Sequence, residues 1–233
     1  MTAHPAARGE ASAEPSCGKE PAAAMTDASF AVRSSRPVFS GHAFEVRVDQ
    51  VEMPDGKVAD RDIIVHLGAV GVLALDPDDN VTIVRQYRPA VRQHLLELPA
   101  GLLDVAGEPA LETAKRELHE EAGLVAEDWQ VLIDLHTSPG MSDESIRIYL
   151  ARRLSAVPEA ERFEAEHEES TMTVRSYPLD ELVEMALAGT LTNGPAVAAV
   201  LAARAAREQG WAGLRPVTAP WPARPDRVPV DAG

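Results

Sequence analysis

Three glutamates within five positions are the residues of this sequence best suited to chemistry. Glu117, Glu120 and Glu121 stand in the stretch GLLDVAGEPALETAKRELHEEAGL, residues 101–124. On a helix these side chains lie three and four positions apart, where like charges repel by about 0.2–0.5 kcal/mol per pair. A divalent cation between them would turn the repulsion into coordination, and carboxylate oxygens suit Mg²⁺ or Mn²⁺. The spacing therefore favours a metal site that can hold an anionic diphosphate.

A helix that begins near Pro109 and ends before Gly123 is the element that must position these carboxylates. Proline suits the first turn of a helix, and glycine suits the position just past its end. The apolar residues at helical spacing are Leu111, Ala114, Leu118 and Ala122. Because this stripe faces a core, Glu117 and Glu121 are predicted to lie at its border. The alternative interpretation is a solvated surface, since many helices carry runs of this composition.

The same stretch resembles the Nudix box. The pattern is Gly, five residues, Glu, seven residues, Arg-Glu, an aliphatic residue, any residue, Glu-Glu, any residue, Gly and an aliphatic residue. The matching residues are Glu108, Arg116, Glu117, Leu118, Glu120, Glu121, Gly123 and Leu124. One position departs from the pattern, because six residues instead of five separate Gly101 from Glu108.

The resemblance implies a role for each matching residue. Glu117 and Glu121 are expected to be the principal metal ligands, with Glu120 as a ligand or support. Further metal ligands are expected at the carbonyl of Ala100 and at Glu168. Structural roles are expected for Gly101, Glu108, Arg116 and Gly123, with Glu108 and Arg116 forming an ion pair.

The segments on either side of the box resemble the ADP-ribose pyrophosphatase branch of the family. They are RQYRPAVRQHLLELPAGLL before the box and TSPGMSDESIRIYLA after it, where Pro139 follows Leu124 by 15 residues. The resemblance implies Mg²⁺-dependent hydrolysis of ADP-ribose to AMP and ribose 5-phosphate, with Mn²⁺ as the alternative metal. Two other hypotheses stay open: hydrolysis of NADH or another nucleoside diphosphate sugar, and a non-catalytic module that senses nucleotides.

Residues outside the box supply candidates for proton transfer and substrate binding. In such enzymes the general base lies on a loop beyond the box, and EAEHEES offers Glu166, Glu168 and Glu169. We favour Glu168 or Glu169, because the alternating Met172 and Val174 fix the end of the loop; Glu120 is a further catalytic candidate. Substrate-binding candidates are Arg85, Arg88, Arg92, Glu97 and Arg147, with Arg88 preferred among the arginines because a guanidinium fork suits phosphate.

The order of predicted elements indicates an α/β fold, with a mixed sheet sandwiched between helices. Residues 1–35 form a leader of disordered composition, and residues 36–67 form an N-terminal β-hairpin with a turn at Asp55 and Gly56. Residues 68–210 form the hydrolase domain, in which AVGVLALDP and VTIVRQYRP are predicted partner strands. Residues 211–233 form a loose, Pro-rich tail. The family resemblance adds a homodimer in which the hairpin is exchanged or packed between subunits.

The net charge and the cysteine content limit the classes of binding partner and the cellular location that we expect. Lys plus Arg is 22 and Asp plus Glu is 37, which gives a formal charge of −15. Such a field repels nucleic acid and anionic membranes. No apolar run reaches the length of about 18 residues needed for a membrane span, and the leader lacks the basic start of a secretory signal. The single cysteine, Cys17, excludes an internal disulfide framework, so we expect a cytoplasmic protein.

Overall fold

The computed structural model describes residues 30–41, 44–161 and 171–224. These residues contain ten strands and three α-helices. The strands are β1 (Val32–Ser40), β2 (Phe44–Glu52), β3 (Val58–His66), β4 (Ala69–Ala74), β5 (Asn80–Arg88), β6 (Gln93–Glu97), β7 (Ala100–Leu102), β8 (Leu124–His136), β9 (Ser145–Ala156) and β10 (Thr173–Pro178). The helices are α1 (Ala110–Ala122), α2 (Leu179–Leu187) and α3 (Gly194–Glu208). None of the helices in these ranges is both long and apolar enough to cross a membrane.

The strands form three sheets, and helices cover two of them. The central sheet has the order β7-β4-β9-β8, in which β4 and β9 are parallel and the other pairs are antiparallel. A second sheet has the order β10-β5-β6, and the N-terminal sheet has the order β1-β2-β3. Helix α1 packs on β4, β7 and β8, whereas α3 packs on β8 and β9. The mixed α/β fold predicted from the sequence is therefore confirmed.

The N-terminal hairpin is present, but it belongs to a larger sheet than the sequence predicted. Strands β2 and β3 pair from Phe44 and His66 to Glu52 and Val58, and Gly56 in the turn has a φ of +78° that suits glycine. Strand β1 was not predicted, and its first residues lie inside the leader assigned to residues 1–35. Its sequence, VRSSRPVFS, has no regular alternation; pairing with β2 makes it a strand.

Strands β4 and β5 do not pair as predicted. Among the described residues, an isolated bridge joins Leu75, the residue just after β4, to Val81 of β5, while β4 pairs with β7 and β9, and β5 pairs with β6 and β10. Every residue of β4 is buried, which is typical of a central strand covered on both faces. At the turn, Asp76 accepts hydrogen bonds from the backbone N–H groups of Asp78 and Asn80, at 2.9 and 2.8 Å, and the chain leaves for the second sheet.

Helix α1 has the boundaries that its sequence predicted. Pro109 immediately precedes it, and Gly123 follows it in the left-handed conformation at φ +62°. The Gly123 N–H donates to the His119 carbonyl at 3.0 Å and closes the last turn. Ala114 and Leu118 are fully buried against the central sheet. The glutamates of the helix consequently lie where it meets the strands.

The segment after α3 is docked on the protein, in contrast to the predicted loose tail. The Val131 N–H donates to the Arg215 carbonyl at 2.9 Å, and Val217 and Trp221 pack against the core on the α1 side of the central sheet. Proline reduces the number of conformations a free chain can adopt, so a Pro-rich segment loses less entropy when it docks. This description covers residues 211–224, and the remainder of the predicted tail lies outside the described residues.

A buried ion-pair cluster holds this segment to the sheet. Arg147 is almost fully buried, and its Nε and Nη2 donate to the Asp134 carboxylate at 2.7 and 3.0 Å. Arg215 Nη1 donates to the same carboxylate at 2.6 Å. Burial alone would raise the pKa of Asp134, but the hydrogen bonds and charges of Arg147 and Arg215 outweigh it and lower that pKa below its usual value.

We expect Asp134→Asn to lower the free energy of unfolding at pH 7 by about 3 kcal/mol, because it leaves the buried Arg147 without its counter-charge. A folded-state pKa below the unfolded value of about 3.9 adds stability that is complete above that value and is lost as the pH falls through the folded pKa. Denaturant unfolding between pH 2 and pH 7 should therefore show a shallower acid loss in the variant than in the wild type, with equal slopes contradicting the prediction.

Candidate active site

Two carboxylates of α1 lie directly against strand β7. A Cβ atom built on Gly101 would stand 2.0 Å from Glu117 Oε1, so the Glu117 carboxylate occupies the space that any larger residue at position 101 would fill. One turn further along α1, Glu121 Oε2 accepts a hydrogen bond from the Ala100 N–H at 2.8 Å. Strand β7 thus fixes both carboxylates, one through the missing side chain of a glycine and one through a backbone donor.

Arg116 lies among the acidic residues and offsets much of their mutual repulsion. Its Nη1 donates to Glu117 Oε1 at 2.8 Å and to Glu120 Oε2 at 3.1 Å. Its Nη2 lies 3.4 Å from Glu108 Oε2 and 3.9 Å from Asp104 Oδ1. The ion pair between Glu108 and Arg116 expected from the sequence is therefore present, and the same guanidinium also contacts two residues of the glutamate cluster.

One arginine does not neutralise the cluster. Burial raises the pKa of Glu117 to about 7; the charge and hydrogen bond of Arg116 oppose this rise, while the charges of Glu120 and Asp104 add to it. Arg116 Nε is buried and has no hydrogen-bond partner among the described residues. An added positive charge beside Glu117 would favour its ionised form. The electrostatics of the site thus favour a cation.

The donor set has the chemistry of a divalent-ion site. Glu117, Glu120 and Glu121 supply carboxylate oxygens, the ligands that hard cations such as Mg²⁺ and Mn²⁺ prefer. Within residues 30–41, 44–161 and 171–224, no group of three or more His, Cys, Asp or Glu side chains is arranged so that it could hold a metal ion. The three carboxylates do not converge because each has another hydrogen-bond partner. Glu117 and Glu120 accept from Arg116, and Glu121 accepts from the Ala100 N–H. The three carboxylates fit a divalent ion if Glu117 and Glu120 give up their hydrogen bonds with Arg116.

The segment that contains the candidates for the general base lies outside the described residues. Glu166, Glu168 and Glu169 all fall in residues 162–170. Their catalytic roles, and the metal-ligand role of Glu168, stay predictions.

Arg88 and Glu97, two of the predicted substrate residues, form a bidentate pair. Arg88 Nε donates to Glu97 Oε1 at 2.9 Å, and Nη2 donates to Oε2 at 2.6 Å. Glu97 is buried at the end of β6, while the Arg88 side chain is partly exposed at the end of β5. The pair holds the guanidinium in one orientation, which is the arrangement expected of a group that must meet a phosphate at a fixed position.

The other three predicted arginines stand in three different settings. Arg85 points to the opposite face of β5, because side chains three positions apart in a strand face opposite sides. There it lines a cleft of about 200 Å³ together with Ile83, Leu96, Thr173, Arg175 and Tyr177. Arg92 is exposed in the turn after β5 with a φ of +56°. Arg147 directs its donors to Asp134 and to the carbonyls of Ala219 and Pro220, so these contacts give it a structural role, and its substrate-binding role stays a prediction.

Sequence reasoning missed two groups near the site. Asp104, three residues past Gly101, joins the Arg116 cluster, and an acidic residue inside the box was a usable signal. His66 accepts the Gly68 N–H at Nδ1 at 3.1 Å. Its Nε2 lies 3.7 Å from Glu144 Oε1. No signal in the sequence linked positions 66 and 144.

Comparison with protein families gives two adjacent matches. Residues 65–200 match the NUDIX domain, which runs from the end of β3 to the middle of α3 and so includes the whole glutamate cluster. Residues 31–64 match the nucleoside diphosphate sugar hydrolase N-terminal domain. The second match covers β1, β2 and all but the last two residues of β3.

Similar proteins carry related names. The chain is 47% identical over 201 residues to the ADP-ribose pyrophosphatase of Mycobacterium tuberculosis, which covers 86% of this chain and 95% of the relative. It is 36% identical over 147 residues to the ADP-ribose pyrophosphatase of Bacillus subtilis, covering 63% of this chain and 79% of that protein. A crystal structure of an ADP compounds hydrolase superposes with a TM-score of 0.66 at 22% identity, over 78% of this chain and 96% of that one. At that identity the structural match supports the fold alone.

Proposed function

This chain belongs to the Nudix family, and we propose that it hydrolyses the diphosphate bond of ADP-ribose to give AMP and ribose 5-phosphate with Mg²⁺. The observation that carries the proposal is the packing of Glu117 and Glu121 on β7, which gathers ionisable oxygens at one buried margin. The relative that is 47% identical over 95% of its own length supports ADP-ribose as the substrate. A divalent metal ion is typical of the family, and the choice of Mg²⁺ over Mn²⁺ is part of the proposal.

The residues of the chain divide the work of this reaction. Glu117, Glu120 and Glu121 would hold the ion, and the Ala100 N–H orients the Glu121 carboxylate. When bound, the ion supplies positive charge to the phosphoryl oxygens and lowers the pKa of a bound water. Arg88, oriented by Glu97, binds a phosphate of the substrate. A water oxygen bonds to one phosphorus, the bridging P–O bond breaks, and a carboxylate, that of Glu168 or Glu169, takes the released proton.

A substrate panel with product identification tests the proposed function. Protein treated with a chelator should be inactive and should regain activity with Mg²⁺. Among ADP-ribose, NADH and other nucleoside diphosphate sugars, ADP-ribose should have the highest kcat/KM and should yield AMP and ribose 5-phosphate. A higher kcat/KM for NADH or another sugar would overturn the substrate, and nucleotide binding without hydrolysis would favour a sensing module.

We also propose a homodimer that forms through the N-terminal sheet. The sheet exposes large apolar side chains on and beside β1: Phe30, Val32, Val38, Phe39 and Phe44. Exposed apolar residues that cluster on one surface are typical of an interface. Strand β1 is also an edge strand, and its free edge is suited to pairing with another chain. A cytoplasmic location is proposed as well, because the chain has a single cysteine.

Phe39→Asp is expected to shift the protein from dimer to monomer, because a charge would be buried in the apolar interface. Size-exclusion chromatography with light scattering should give twice the chain mass of 25.0 kDa for the wild type and the single mass for the variant. Leu187→Asp is the matched control, since Leu187 is a large apolar residue, 78% exposed, on α2. A monomeric wild type, or a dimeric Phe39→Asp protein, would contradict the proposed interface.

A further inference from the structure

The docked C-terminal segment holds the first residue of β9. Trp221 Nε1 donates to Ser145 Oγ at 3.0 Å, and Ser145 is fully buried. The Trp221 ring lies 4.9 Å from the guanidinium carbon of Arg147, close enough for a cation–π contact. Arg147 also donates to the carbonyls of Ala219 and Pro220, at 2.9 Å each. Residues 214–224, called the C-terminal brace below, therefore bind β9 through side chains at two nearby positions.

Immediately before Ser145 lies the loop of residues 137–144, and the other side of this loop is held by β3. The Ile64 N–H donates to the Met141 carbonyl at 2.7 Å, and the His66 N–H donates to Asp143 Oδ1 at 2.8 Å. In return, the Asp143 N–H donates to the Ile64 carbonyl at 3.2 Å. The loop is thus anchored between the N-terminal sheet and the residue that the C-terminal brace fixes.

Two sets of contacts connect this loop to the glutamate site. The Gly68 N–H donates to His66 Nδ1 at 3.1 Å, and the Leu103 N–H donates to the Gly68 carbonyl at 3.1 Å. In the central sheet, Gly101 pairs with Val70, and Val70 pairs with Arg147. Adjacent strands are about 4.8 Å apart, so the backbones of Gly101 and Arg147 are separated by about 10 Å. Through these contacts the loop and the brace are connected to β7, the strand on which Glu117 and Glu121 pack.

We propose that the C-terminal brace positions the loop of residues 137–144 for substrate binding, with Trp221 and Ser145 as the positioning residues. The inference rests on the proposed function, because it assigns the loop to the same site. The indole N–H fixes Ser145, and Arg147 fixes the backbone that carries the indole, so the end of the loop next to β9 has one orientation. Losing that hydrogen bond would let the loop move while the glutamates remain on β7. Substrate affinity should then fall without a matching fall in the chemical step.

The test compares two conservative variants with a matched control from the same segment. Trp221→Phe keeps a ring beside Arg147 and removes the indole N–H, while Ser145→Ala removes its acceptor. Trp211→Phe is the control, because Trp211 also lies over an arginine, at 5.4 Å from Arg152, and has no contact with Ser145 among the described residues. Each protein is measured for KM and kcat with ADP-ribose and Mg²⁺, for hydrogen exchange of the loop peptide, and for thermal unfolding.

We expect Trp221→Phe and Ser145→Ala each to raise the KM for ADP-ribose and the exchange rate of the loop amides about fivefold, which is the usual effect of one lost hydrogen bond. Kcat should stay within about twofold, and the double variant should be no worse than either single variant, because both remove one contact. The Trp211→Phe protein should match the wild type in KM and loop exchange.

Unchanged KM and loop exchange in both variants would overturn the inference. Equal increases in the Trp211→Phe control would also overturn it, because the effect would then arise from general loosening of the tail. Loss of kcat with unchanged KM would place these residues in chemistry and not in positioning. A wild type that cleaves no ADP-ribose would overturn the proposed function alone, and loop exchange would still test whether Trp221 fixes the loop.

Discussion

Glu121→Gln is expected to lower kcat/KM for ADP-ribose by about a thousandfold and to leave the fold intact. The amide oxygen of glutamine can still accept the hydrogen bond from the Ala100 N–H, which Glu121 accepts at 2.8 Å, so the contact with β7 is preserved. The negative charge is lost, and a neutral amide is a much weaker ligand for a hard cation. Metal ions contribute several kcal/mol of transition-state stabilisation, and each 1.4 kcal/mol corresponds to about tenfold in rate.

Steady-state kinetics across a Mg²⁺ titration measures this effect, with thermal unfolding as the check on the fold. Glu112→Gln is the matched control: it makes the same chemical change on the same helix, at an exposed residue that pairs with Lys115. The control should keep wild-type kcat/KM. Full activity in Glu121→Gln would show that Glu121 is not a principal metal ligand, and equal losses in both variants would show that the helix responds to charge in general.

The parts of the fold that the sequence predicted are those coded by local pattern. The limits of α1 follow from Pro109 and Gly123, two residues with strong backbone preferences, and its buried face follows from the spacing of Ala114 and Leu118. The hairpin of β2 and β3 follows from alternation and from the turn at Gly56. In each case neighbouring residues carry the physical reason, so a linear pattern is sufficient.

The parts that the sequence did not predict depend on distant partners. Strand β1 is set by its ladder with β2, in which Val32 pairs with Val51, and no property of VRSSRPVFS alone requires it. The C-terminal brace is set by Asp134 and Arg147, which are more than 60 positions away in the chain. Its proline content indicated a loose tail, whereas the same prolines lower the entropy cost of docking once a surface is present.

The candidate site likewise has parts that are coded by local pattern and parts that depend on distant partners. The glutamates and Arg116 were predicted from one contiguous stretch, and the structure gathers them as their helical spacing required. The arginines were drawn from several strands, and their roles depended on which face each side chain occupies. Arg85 and Arg88 stand three positions apart in one strand and therefore point to opposite sides. The register of the sheet, which the sequence does not give, determines which face each of the two arginine side chains occupies.

Gly101→Ala is expected to lower kcat/KM for ADP-ribose about a hundredfold while the fold remains. The new Cβ would lie 2.0 Å from Glu117 Oε1, 2.2 Å from Cδ and 2.7 Å from Cγ, distances that no side chain tolerates. These atoms are at the flexible end of Glu117, so the carboxylate can swing away without moving β7 or α1. A displacement of about 1 Å at a reacting group can cost about a hundredfold in rate.

Gly71→Ala is the matched control, because Gly71 in β4 pairs with Ala100 of β7, next to Gly101. A Cβ on Gly71 would meet Ile148 at 3.6 Å and Ile146 at 3.7 Å, which is ordinary contact. Kinetics should therefore separate two glycine-to-alanine changes on neighbouring strands, with thermal unfolding similar in both. Wild-type kcat/KM in Gly101→Ala would mean that the position of Glu117 over β7 is not needed for hydrolysis. A large loss in Gly71→Ala would mean that the strands, and not the carboxylate, are sensitive to added volume.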